Sequence, residues 1–149
     1  MVALNIDLTF MKKRRERQIQ YEQSVLRDIS YRTLKDGVEK HFGNFIFNGR
    51  PVIGSTIEEI CYDMAIEAYL AGSRYSRLGY YGEPQESVFQ KSAGERTVLG
   101  KELADYFFRW QLESLVPEDE FLETCQLYID EWWIRGFQNG KMKYKLRIH

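Results

Sequence analysis

The stretch from Ser55 to Leu78 constrains the fold more than any other part of the chain. Ser55 with Glu58 three residues later is a capping-box pattern, and the apolar run behind it recurs at helical spacing, so a long helix is expected from Ser55 to about Leu78. Ile57, Ile60, Cys61, Met64, Ala65, Ala68, Ala71 and Gly72 line one broad face, while Tyr62, Ile66 and Tyr69 cover another. Only a narrow polar strip remains. A helix this apolar has to be surrounded, which makes it the expected centre of a bundle. The small side chains at Ala65, Ala68, Ala71 and Gly72 would let neighbouring helices approach closely.

Other segments supply the neighbours. From about Met11 to His41 the chain reads as one long helix, with Ile19, Leu26, Ile29, Leu34, Val38 and Phe42 as an approximate stripe and Gly43 placed to end it. The segment GNFIFNGRPVIG follows. Its Asn48-Gly49 pair is a hairpin-type turn signal, although Pro51 limits any strand there to an edge, so a loop with short strand character is expected. Pro84 suits the first turn of another helix that breaks near Gly94 and resumes to about Leu115, with Leu99, Leu103, Tyr106, Phe107 and Trp110 as its stripe. Pro117 opens a last helix, heavily apolar through Trp132, Trp133 and Phe137, that Gly140 is placed to close.

Both chain ends alternate. Val2, Leu4, Ile6, Leu8 and Phe10 share one face of an extended segment. At the other end KMKYKLRIH puts Lys141, Lys143, Lys145 and Arg147 on one face and Met142, Tyr144, Leu146 and Ile148 on the opposite one. Unpaired edges invite aggregation, so the two segments are predicted to pair over the helices, within one chain or across a dimer. The expected fold is mainly α: one domain over residues 1–149, a four- to five-helix bundle with a small β-sheet formed by the N- and C-terminal strands.

Composition removes several function classes. The net charge of -1 gives no overall field for nucleic acid, so any electrostatic function must be local. Cys61 and Cys125 lie in apolar helical stretches and read as reduced core residues. The first residues place their basic cluster after the apolar positions, the reverse of a secretory signal, and no run is apolar enough for a membrane span; the cytoplasm is the expected compartment. With His41 and His149 as the two histidines and no His-x-x-x-His, Cys-x-x-Cys or Glu-x-x-His, no metal or other cofactor is expected. Neither a nucleophile elbow nor a phosphate loop is present.

Three constellations remain. In KKRRER, Lys12, Lys13, Arg14, Arg15 and Arg17 oppose the dipole at a helix start; they make either a solvated face or a phosphate-contacting patch, extended by Lys141, Lys143, Lys145 and Arg147 if the termini lie side by side. Glu59, Asp63 and Glu67 stack on the polar strip of the Ser55–Leu78 helix, where some cation must compensate them, and structural ion pairs to Arg74, Arg77 or Arg109 are expected. Near that helix's end, Arg74, Tyr75, Arg77, Tyr80, Tyr81 and Glu83 offer guanidinium forks and phenolic donors that suit a carboxylate or phosphate, or else terminate the helix through internal ion pairs. An enzyme built on Glu67, Tyr75 and Arg77 ranks last, because no nucleophile and base can be named.

AIEAYLAGSRYSRLGYYGE, the Asp-Tyr-Phe-Phe-Arg-Trp run from Asp105 and EWWIRGFQNGKMKYKLRIH together resemble the YbaK-like proteins of Bacillus, across nearly the whole chain. That small uncharacterised family is distinct from the tRNA-editing proteins sharing its name. The resemblance implies a bacterial cytoplasmic protein and transfers no activity, cofactor or catalytic residue. The expected function is a non-enzymatic binding or regulatory module that engages an unknown protein partner or an anionic small ligand, with a homodimer compatible; the alternative is nucleic-acid binding through the basic segments.

Overall fold

The computed structural model describes residues 27–43, 46–47, 50–51, 55–109 and 118–147, together with Lys12, Arg15, Glu16 and Gln23. The chain divides into two compact units, Met1–Ser30 and Tyr31–His149. In the first, Lys12, Arg15, Glu16 and Gln23 are helical and exposed, and a turn follows at Arg27 and Asp28. The continuous helix expected from Met11 to His41 is therefore interrupted at residues 27–30. Asp28 and Ser30 are residue types whose side chains compete for backbone groups and favour turns and caps over helix interiors.

The second unit contains helices α1 (Tyr31–Phe42), α2 (Ser55–Tyr80), α3 (Gln85–Lys91), α4 (Ala93–Arg109) and α5 (Glu118–Arg147). Helix α1 stops where Gly43 was expected to stop it, the Gly43 N–H donating to the Glu39 carbonyl at 2.9 Å. Between α1 and α2 a two-residue antiparallel ladder pairs Ile46 with Pro51 and Phe47 with Arg50. Helix α2 ends in a Schellman arrangement. Gly82, at φ 105, donates to the Gly79 carbonyl, and the Glu83 N–H reaches the Leu78 carbonyl, each at 3.1 Å. The break expected near Gly94 falls at Ser92, whose hydroxyl donates to the Phe89 carbonyl.

The expected terminal sheet is overturned. Helix α5 continues unbroken through Gly140 to Arg147, so residues 141–147 are helical where a strand was expected, and the segment Val2–Phe10 lies outside the described residues. Two physical reasons account for it. Gly140 is a packing residue rather than a stop: a Cβ there would sit 2.5 Å from the Ser76 hydroxyl and 3.1 Å from that of Ser73. Beyond it, Lys, Met, Leu and Arg are good helix formers, and a helix satisfies its own backbone where a strand needs a partner.

Helices α2 and α5 form the axis of this unit. Tyr128 donates to the Cys61 carbonyl at 2.8 Å, Asn139 to the Tyr69 hydroxyl at 2.8 Å, and Tyr80 stacks on Tyr144; the paired positions rise together, so the helices run side by side in one direction. Their backbones nearly touch. A Cβ on Gly72 would overlap the Trp133 carbonyl, and one on Gly136 the Tyr69 carbonyl. Helices α1 and α4 pack antiparallel to α5, through Gly37 on Trp132 and Phe42 on Tyr128 for α1, and through Arg96 on Asp130 and Phe107 on Phe121 for α4. Trp132 and Trp133 are both core. Val88 of α3 joins Ala71, Trp133 and Phe137 in a buried cluster.

Candidate functional site

The end of α2 was expected to present an arginine cluster, and the fold uses up part of it. Arg74 donates to Glu95 of α4 at 2.9 Å, and Glu83 accepts from Lys91 at 2.6 Å. Tyr75 is half-buried against Trp133. Arg77 stays exposed, its guanidinium 5.8 Å from the centre of the Tyr81 ring, which is itself 70% exposed. Tyr80 alone of this set turns toward the last turns of α5.

There an open groove of about 710 Å³ is lined by Tyr80, Gln85, Phe137, Gln138, Lys141, Met142 and Lys145. The Schellman turn at Gly82 creates it, because reversing the chain brings the start of α3 beside α5, where Gln138 donates to Gln85 at 3.1 Å. Helical geometry explains the lining. Lys141 and Lys145 are one turn apart and share a rim, Gln138 and Met142 stand beside them, and Tyr144 points inward onto Tyr80 at 6.0 Å. Lys143 lies on another side of the helix. The flat row of Lys141, Lys143, Lys145 and Arg147 expected from a strand is therefore split, and half of it joins Tyr80. Lys12 and Arg15 are exposed in the first unit, while Lys13, Arg14 and Arg17 lie outside the described residues.

Gln85, Phe137, Gln138 and Met142 were missed by the sequence reading. The signal was present: read at a period of 3.6, residues 138, 141, 142 and 145 share a face.

A second polar centre ties α1 to α5. Glu131 accepts from Lys40 at 2.9 Å, from Arg135 at 3.3 Å and from the His41 ring. Partial burial alone would raise its pKa, but the hydrogen bonds from His41 and Lys40 hold the carboxyl down at about 2. A third centre is Arg96, 7% exposed, which sequence reading passed over. Its Nε donates to Ser92 at 2.9 Å, Nη1 to Asp130 at 2.8 Å and Nη2 to the Phe89 carbonyl at 2.6 Å, with the Phe89 ring 3.3 Å away. All three nitrogens are engaged within the fold, so Arg96 serves to join α3, α4 and α5.

Covalent chemistry finds little support in these residues. Cys61 and Cys125 are free and buried as expected; burial, reinforced by Glu58, pushes the Cys61 thiol up to about 12, and burial pushes Cys125 up as well. A thiol so disposed is a poor nucleophile. Among the described residues no three His, Cys, Asp or Glu side chains converge as metal ligands would, and no helix is long and apolar enough to cross a membrane.

A family model described as protein of unknown function (DUF2521) matches residues 4–149. The chain is also 35% identical over 147 residues to the uncharacterized protein YbaK of Bacillus subtilis (strain 168), a match covering 95% of this chain and 97% of that relative. The resemblance drawn from the sequence alone is thus borne out. No solved structure matches.

Proposed function

The chain belongs to the DUF2521 family, whose function is unknown, and from its geometry we propose that it is a non-enzymatic binding module whose ligand is an anion carrying an apolar body. The groove between Tyr80, Gln85 and the last turns of α5 carries this reading. Its volume is in the range of small-molecule sites, its floor is aromatic and thioether, and two lysine ammonium groups one turn apart on its rim suit a phosphate or carboxylate. The proposal moves the expected anion site away from Arg74, which is paired, and keeps Tyr80.

The test uses octyl phosphate below its micellar concentration, followed by calorimetry and by the methyl resonance of Met142. Saturable binding that shifts Met142 is expected, with K141E/K145E weakening it about tenfold or more and inorganic phosphate binding far less tightly. Equal binding by wild type and K141E/K145E would remove the reading. A second reading, nucleic-acid binding, draws on the exposure of Lys12 and Arg15; it requires affinity for a generic duplex that falls steeply with salt.

A further inference from the structure

We infer that the outward face of α2 is an isologous docking surface for a second copy of this chain, laid antiparallel across it. The face carries opposite charges at its two ends. Glu59, Asp63 and Glu67 are exposed one turn apart in its first half, and Arg74 and Arg77 are exposed in its second half. At about 100° per residue Asp63 and Arg77 lie within about 40° of each other around the axis and about 21 Å apart along it, equidistant from Leu70.

Inside the molecule these charges are left over. Arg74 is taken by Glu95, but among the described residues Glu59, Asp63 and Glu67 have no ion pair or hydrogen bond, and Arg77 has the Tyr81 ring as its contact. The sequence pattern demanded a cation for the acidic stripe, and among the described residues none pairs with it.

A two-fold axis through Leu70 supplies it twice over. It sets each Asp63 against Arg77 of the second copy and each Glu59 near the other copy's exposed Tyr81, with the crossing point over the buried Leu70. The operation closes at two copies, so it makes a dimer and not a filament. A uniformly acidic or basic partner would satisfy one half of the face and repel the other. The partner that satisfies both halves carries the same charges in reversed order, and this chain is one. A face held by a few exposed charge pairs makes a weak dimer, and those pairs are screened by salt.

Sedimentation equilibrium of the full chain over a concentration series is the test. The expected result is a monomer–dimer equilibrium at low salt that shifts to monomer at about 0.5 M salt. D63K and R77E, each folded by circular dichroism, should be monomeric alone and should form a heterodimer when mixed; D63K/R77E in one chain should restore the homodimer. Three outcomes overturn the inference: a wild type monomeric throughout at low salt, a dimer indifferent to both single reversals, or a double reversal that stays monomeric. None of these substitutions alters a groove side chain, so octyl phosphate binding is scored independently.

Discussion

Arg96 shows how much can turn on one side chain. Its guanidinium joins the carbonyl end of α3, the Ser92 break and Asp130 of α5, so it fastens three elements at one buried point. A lysine carries its donors on one nitrogen and cannot span the three acceptors, and a methionine would leave Asp130 without its cation. R96M and R96K are therefore both expected to lower stability by about 3 kcal/mol, seen as a lower urea midpoint with unchanged slope. A loss below about 1 kcal/mol would show that the network does not hold α3 in place. Nothing in the sequence announced this residue. An arginine four positions after a serine looks solvated, and its burial arises because Phe89 and Trp133 fold over it. Cys61 and Cys125 were legible, because their neighbours at helical spacing are apolar.

At the level of helices, the α2–α5 contact depends on side chains that are missing. Ala65, Ala68, Ala71 and Gly72 were readable as a close-packing face, and all are buried there. Gly72→Ala or Gly136→Ala would drive a methyl group into a backbone carbonyl that cannot rotate away, so a loss of about 3 kcal/mol or failure to fold is expected. Gly94→Ala is the control. A Cβ there meets nothing within 4 Å, and replacing a helical glycine should raise the thermal midpoint slightly, by up to about 1 kcal/mol in stability. If both substitutions behaved alike, helix propensity would outweigh packing at Gly72. The last turns of α5 were the misread element. Over seven residues, alternating lysines and apolar side chains satisfy a two-residue period and leave Lys141 with Lys145, and Met142 with Leu146, at helical spacing too. Tyr80 resolves the ambiguity by giving Tyr144 a ring to stack on.

For the molecule as a whole, acid is the informative variable. The Glu131 carboxyl, near 2 when folded against an ordinary 4.5, binds fewer protons in the native state than in the unfolded chain between those values. Its contribution is complete above about pH 5 and is lost as pH falls toward 2, so stability rises with pH across that window. E131Q should flatten the thermal midpoint against pH there; an unchanged profile would mean that His41 and Lys40 do not hold α1 through this carboxylate. The groove follows the same division. Tyr80, Lys141 and Lys145 were each identifiable as candidate binding residues, but their meeting depends on the Gly82 turn and on α5 running past Gly140. Local chemistry, namely apolar periodicity, a capping pair, small residues and buried thiols, was enough to set the helical class and the central helix, because those signals act between residues a turn apart. Which charges pair, which glycine ends a helix and which merely lets another pass, and where a groove opens all depend on contacts between positions dozens of residues apart. Those contacts exist only once the helices have packed.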